Sequence, residues 1–124
     1  MTKNVAILGA SNDPSRFAHK AFMLLKRHGY NPLPVSATVT EIDGVPAVPH
    51  LADLKEPFDT LTMYVRPEIS TKIKNEILQA RPNRVIFNPG TENPELEAAL
   101  KSQGSHVVRH CTLVLLNAGE FEKA

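Results

Sequence analysis

A chain of 124 residues, 42% of them hydrophobic, is long enough to form one domain that buries about two thirds of the surface its unfolded form exposes. Its 14 basic and 13 acidic side chains are interspersed and leave a formal charge of +1, so no global field draws in nucleic acid or an anionic membrane surface. Cys111 is the only cysteine, which excludes an internal disulfide and the usual zinc clusters and fits a reducing, cytoplasmic setting; the start at Met1-Thr2-Lys3-Asn4 and the short apolar run behind it match neither a secretory signal nor a membrane span.

In chain order, Val5-Ala6-Ile7-Leu8 is an apolar run that ends on Gly9 and is followed by Ala10-Ser11-Asn12-Asp13-Pro14-Ser15-Arg16, which reads as a buried strand, a tight turn and a helix start. A glycine directly after a strand permits a turn that a Cβ would obstruct and leaves room for a ligand to approach the main chain. The turn amides and the positive end of the next helix then face one space, which suits an anion such as phosphate. Ser11 adds a hydroxyl and Arg16 a fixed positive charge. The second and third glycines of the dinucleotide fingerprint are absent, so the same residues read equally well as a plain turn with Asp13 or Ser15 capping the helix.

Phe17, Ala18, Ala21, Phe22, Leu24 and Leu25 recur at helical spacing up to Gly29, the expected C-terminal cap. Tyr30 to Val35 reads as a second strand in which Pro32 and Pro34 remove two ladder donors. Thr38 to Val48 alternates around Asp43-Gly44 and reads as a small excursion or hairpin rather than a helix, and Leu51 to Leu54 as one short helical turn. Thr60 to Val65 is a third strand, followed by a helix opened by Pro67 with Ile69, Ile73, Ile77 and Leu78 on one face. Val85-Ile86-Phe87 is a fourth strand that runs into Asn88-Pro89-Gly90. Asn93 caps a helix that begins at Pro94 and carries Leu96, Ala99 and Leu100 inward until Gly104. His106-Val107-Val108 is a fifth strand ending near Arg109-His110-Cys111, and the tail Thr112 to Phe121 is left open between helix and extended chain.

Strands alternating with helices imply parallel βαβ units with right-handed crossovers, hence an α/β three-layer sandwich around a five-stranded parallel sheet. In such sheets ligands sit beyond the carboxyl ends of the strands. The segments expected there are Gly9 to Arg16, Ser36-Ala37, Arg66, Asn88 to Thr91 and Arg109-His110, so polar, glycine-bearing and cationic residues gather on one edge.

The run Gly9 to Arg16 resembles the first turn of the small stand-alone CoA-binding proteins, which are similar to the N-terminal domain of the succinyl-CoA ligase alpha subunit. Further matching pieces follow in order: Asp43-Gly44 before Leu51-Ala52-Asp53-Leu54, the step Val65-Arg66-Pro67-Glu68, Gly90 after the fourth strand, and Arg109-His110-Cys111. The resemblance runs over nearly the whole chain and implies one Rossmann-like domain spanning 1–124, with strand order 3-2-1-4-5, that cradles the nucleotide part of CoA. The residues expected to contact it are Gly9, Ala10, Ser11, Pro14, Arg16, Ser36, Arg66 and Gly90. The family pattern of Val-Asn-Pro after the second strand is replaced here by Val35-Ser36-Ala37, and Asn88-Pro89 replaces a more apolar approach to Gly90.

NAD normally needs a carboxylate at the end of the second strand, where this chain has Val35-Ser36, and CoA with its diphosphate and ribose phosphate suits cations such as Arg16 and Lys20 better. His110 and Cys111 are neighbours on extended chain and point to opposite sides, which argues against a nucleophile and base. No spacing suggests a metal, and Glu92, Glu95 and Glu97 read as an acidic first helix turn. The expected function is binding of CoA or an acyl-CoA without catalysis, beside two other readings: an acyl-CoA enzyme subunit that depends on a partner chain, and an NAD or AMP sensor. Self-association stays open.

Overall fold

The computed structural model describes residues 3–124; the plain start read at Met1-Thr2 lies outside the described residues. β1 (Asn4–Leu8) carries the first apolar run, followed by α1 (Phe17–Arg27), β2 (Asn31–Val35), and a hairpin of β3 (Glu41–Ile42) and β4 (Val45–Pro46). The hairpin closes over Asp43 and Gly44 with φ of 49° and 79°, the paired positive angles of a tight two-residue turn. A single 3-10 turn at Leu51–Asp53 leads to β5 (Thr60–Met63), α2 (Pro67–Lys72), α3 (Lys74–Ala80), β6 (Arg84–Phe87), α4 (Pro94–Ser102), β7 (His106–Arg109) and α5 (Thr112–Asn117). The tail left open in the sequence is therefore helical in its first half.

The large sheet is five-stranded, all parallel, in the order β2-β1-β5-β6-β7. Counted by its own strands this is 2-1-3-4-5, which corrects the expected 3-2-1-4-5 at one place: the third strand pairs with the first rather than the second. The reason lies in β2. Successive residues of a strand aim their N–H groups at opposite neighbours. Asn31 donates to the Lys3 carbonyl on the β1 side at 3.0 Å, so Pro32 and Pro34 turn their ring nitrogens outward. No ladder can grow on that side. Only a short stitch forms there, Val48 N–H to the Pro34 carbonyl at 3.2 Å and Ser36 N–H to the Val48 carbonyl at 2.9 Å, and the chain then crosses to the far side of β1.

Alternate side chains of the strands feed two separate layers. Ala6, Leu8, Leu61, Met63, Val85 and Phe87 pack against Leu51, Ile77 of α3, and Leu96 and Leu100 of α4. Val5, Ile7 and Ile86 pack on the other face against Phe22 and Leu25 of α1 and Leu115 and Leu116 of α5. Each fully buried large side chain contributes about 1.5–3 kcal/mol. The helix expected from Pro67 onward is broken at Ile73, whose ψ is 21°. The break lets Ile77 be fully buried while Ile69, two turns earlier, stays 39% exposed. Among the described residues no helix is long and apolar enough to cross a membrane.

α4 is fastened at its start as expected: the Asn93 side chain accepts the Leu96 N–H at 3.2 Å and donates to Ser70 Oγ at 2.9 Å. Glu97, buried one turn on, accepts the Asn93 N–H at 2.8 Å and a two-pronged bond from Arg109 at 2.8 and 3.1 Å. Burial raises the Glu97 pKa, but the Arg109 and Asn93 bonds outweigh it and hold the carboxyl below its ordinary value. The folded pKa thus lies under the unfolded one, so this contribution is full above the unfolded value and is lost as pH falls through the folded value. Replacing Glu97 by Gln should cost about 1–3 kcal/mol at pH 7, with a smaller difference at an acid pH below the folded value. Urea midpoints of both proteins at the two pH values test this, and an unchanged gap would refute it.

Candidate functional site

Strand order reverses between β1 and β5, and the connections from these strands leave to opposite faces of the sheet, so a crevice opens beyond their carboxyl ends. A cleft of about 620 Å³ lies there. One wall is the turn after β1, with Gly9, Ala10, Ser11 and Asp13, continued by Arg16, Phe17 and Ala18 at the start of α1. The facing wall is Tyr64, Val65 and Arg66 after β5 with Pro89, Gly90 and Thr91 after β6, and Thr38 closes one side.

Gly9 has a φ of 91°, and a Cβ on it would sit 2.8 Å from Val65 Cγ1 and 2.9 Å from the Tyr64 carbonyl oxygen. Its missing side chain is therefore filled by the neighbouring chain segment, which corrects the expectation that it leaves room for a ligand. The N–H groups of Gly9 and Ala10 both donate to the Val35 carbonyl, at 3.0 and 3.1 Å. Of the turn amides, those of Ser11 and Asn12 have no acceptor among the described residues, and neither do those of Phe17 and Ala18 in the first turn of α1. Neither Asp13 nor Ser15 caps that helix: Arg16 is the N-cap residue, without a side-chain bond. Asp13 instead accepts the Ser15 N–H at 3.0 Å and the Ser15 hydroxyl at 2.7 Å, which holds its carboxyl below the usual range. The loop is pinned from both sides, by Asn12 donating to the Glu41 carbonyl at 2.8 Å and by His19 Nδ1 lying 3.1 Å from the Ser11 carbonyl.

Of the residues expected from the sequence, Gly9, Ala10, Ser11, Arg16, Arg66 and Gly90 come together along this cleft. Pro14 and Ser36 do not line it. Ser36 is buried, and its hydroxyl accepts the N–H groups of Thr38 at 3.2 Å and Val39 at 3.0 Å, which shapes the turn that brings Thr38 to the cleft. Arg109 is turned away to Glu97. His110 Nδ1 accepts the Cys111 backbone N–H at 2.8 Å, so that ring nitrogen is not free to serve the thiol as a base. Sequence reasoning missed Phe17, Thr38, Tyr64 and Val65 as walls; the helical periodicity placed Phe17 in the core, whereas its ring is 66% exposed.

The floor beside the cleft is a buried polar knot. Asn88 donates to Thr62 Oγ1 at 2.8 Å and to the Met63 carbonyl at 2.9 Å, and its oxygen accepts the Thr112 N–H at 2.8 Å. The Thr62 and Thr112 hydroxyls meet at 2.8 Å. The Tyr64 hydroxyl next to them is buried without a hydrogen-bond partner among the described residues, and its pKa is pushed up to about 12, chiefly by burial. Among the described residues no three His, Cys, Asp or Glu side chains group as metal ligands.

A parallel sheet in this order, with a glycine turn and an uncapped helix start at the point of reversal, defines an α/β Rossmann-like domain. The chain belongs to the CoA binding domain family, whose model matches residues 3–117. A protein from Thermus thermophilus described as cell-free ID.343 is 39% identical and superposes with a TM-score of 0.89, covering 97% of this chain and 91% of its own. The uncharacterized protein YneT of Bacillus subtilis is 27% identical over 117 residues, 94% of this chain and 87% of that protein. A dinucleotide forming acetyl-coenzyme A synthetase 1 of Ca. Korarchaeum cryptofilum is 22% identical with a TM-score of 0.74; the match takes in 87% of this chain and 25% of that one and is a likeness of fold.

The two glycines of the cleft separate two causes of strain. Gly90 has a φ of 90° but open space where a Cβ would be, so Gly90→Ala should cost about 1 kcal/mol from the backbone angle alone. Gly9→Ala adds the clash with Tyr64 and Val65 and should cost about 3 kcal/mol or more. Denaturant unfolding of both variants reads the difference; equal losses would show that the close approach at Gly9 does not matter.

Proposed function

We propose that the cleft binds CoA or an acyl-CoA through its phosphates and that the protein does so without chemistry of its own. The observation that carries this reading is the convergence at the switch point of unpartnered Ser11 and Asn12 amides, the uncapped start of α1, and the guanidinium-bearing Arg16 and Arg66. Such donors suit a diphosphate with an additional phosphate near it. The size of the cleft is that of a small-molecule site. The end of β2 carries Val35 and Ser36 rather than a carboxylate for ribose hydroxyls, and the Ser36 hydroxyl already accepts two amides, which favours CoA over NAD. The lack of catalysis is supported by Cys111 and His110, whose ring nitrogen is tied to the backbone rather than to the thiol. The setting read from the lone cysteine is cytoplasmic.

Thermal-shift series with CoA, acetyl-CoA, NAD, NADP and AMP separate the ligands, because one at a hundred times its Kd stabilises by roughly 2.7 kcal/mol. Calorimetric titration of CoA into Arg16→Ala and Arg66→Ala should show affinity reduced about ten- to a hundredfold in each, as expected for a lost charge-assisted bond, with melting temperatures nearly unchanged. Affinities equal to the unsubstituted protein would remove both side chains from the site. Steady turnover of acetyl-CoA by the purified chain, abolished by Cys111→Ala, would overturn the non-catalytic part.

A further inference from the structure

Next to the polar cleft lies a second cavity of about 150 Å³, walled by Phe17, Tyr64, Asn88, Pro89 and Cys111. Phe17, Tyr64 and Pro89 belong to both spaces, so the small cavity adjoins the large one. Their characters are opposite. The cleft presents amides and guanidinium groups, whereas the cavity is lined almost wholly by aromatic, proline and thiol surface. Its one amide side chain, Asn88, has its oxygen and nitrogen already engaged by Thr62, Met63 and Thr112 and offers little to a polar ligand group. Phe17 stands between the two spaces with 66% of its surface exposed, a large apolar group that a ligand crossing from one to the other would cover.

Resting on the CoA reading, we propose that this cavity seats the sulfur end of the ligand together with a short acyl group, so that the protein distinguishes acyl-CoAs by chain length. The order of surfaces, charged donors first and an apolar pocket next, follows the order of groups in a thioester of CoA once the pantetheine arm between phosphates and sulfur is laid along the cleft. The volume sets the limit. At ~30 Å³ per water-sized group the cavity holds about five non-hydrogen atoms. The sulfur, carbonyl and methyl of an acetyl thioester are four atoms and the propionyl thioester has five, whereas the hexanoyl thioester has eight. A longer chain must leave the pocket and take the thioester with it, and the apolar contact is lost.

Calorimetric titration of the full chain with CoA, acetyl-, propionyl-, hexanoyl- and octanoyl-CoA reads this directly. Acetyl- and propionyl-CoA should bind about threefold or more tighter than CoA, the worth of roughly one buried methyl group, and hexanoyl- and octanoyl-CoA about tenfold weaker than acetyl-CoA. Two variants place the effect. Phe17→Ala opens the shared wall at an exposed position and should bring octanoyl-CoA within about threefold of acetyl-CoA; Cys111→Leu fills the cavity and should erase the acetyl advantage over CoA. Melting curves confirm that both variants fold. A flat series, or affinity rising with chain length, overturns the proposal while leaving CoA binding intact. Failure of CoA itself to bind overturns the reading beneath it as well.

Discussion

The site depends on one contact, the approach of the chain leaving β1 to the chain leaving β5. At Gly9 the backbones come so close that a single methyl group would meet the Tyr64 carbonyl and Val65. The same turn is caught from the other side, because Gly9 and Ala10 give their amides to Val35 at the end of β2. Three neighbouring strands of the sheet are thereby joined at their carboxyl ends through Gly9 and Ala10. Since those amides are spent on holding the turn, the next two, of Ser11 and Asn12, are the ones left facing outward, and the start of α1 is aimed into the same space. The outward-facing donors that the proposed function assigns to an anion are a consequence of how the strands are fastened.

A second constraint fixes the opposite wall. Asn88 stands buried just past the end of β6, and burying its amide costs stability unless each polar atom is paired. It is paired three times, to β5 through Thr62 and Met63 and to the start of α5 through Thr112. The knot places Pro89-Gly90-Thr91 across from the β1 turn, and Thr91 tightens it by donating its hydroxyl to the Asn88 carbonyl at 2.7 Å. Tyr64, packed beside this network with an unpaired hydroxyl, marks where polar order gives way to the drier space near Cys111.

The elements were legible because their signals are local. Apolar runs ending in Gly9 and Asn88, prolines at Pro67 and Pro94, the Asn93 cap and the Asp43-Gly44 turn each act within a few residues, and each appears where the pattern puts it. Strand order was not legible from the resemblance, although Pro32 and Pro34 carried the information: both prolines fall on the same side of β2 and bar a neighbour there. The backbone part of the cleft could be read from Gly9 to Arg16 and from Gly90. Phe17, Thr38, Tyr64 and Val65 could not, because their place depends on which strands are neighbours and on a helix start that leaves an aromatic ring outside the core. Ser36 and Arg109 mislead for the complementary reason, since their polar groups are engaged by partners that only the fold supplies, Thr38 and Val39 for one and Glu97 for the other.

Asp13 poses an apparent conflict, an anion in the wall of a cleft whose donors suit phosphate. Its carboxylate oxygen is directed at the Ser15 amide and hydroxyl, and its backbone carbonyl accepts the Arg16 N–H at 3.0 Å. The residue thus acts as the turn that sets the direction of α1 and carries Arg16 to the cleft, a local geometric role that a neutral side chain with a single acceptor would fill less firmly. The cost is electrostatic. One negative charge partly offsets the nearby guanidinium, so under the proposed function the attraction for an anion rests on short-range donors at Ser11, Asn12 and the helix start as much as on net charge, and at physiological ionic strength, where screening acts beyond about 8 Å, that arrangement suits a ligand whose phosphates reach those donors directly. Under that proposal the site selects by fit to a fixed set of amides, with the charges refining an orientation that the backbone has already imposed.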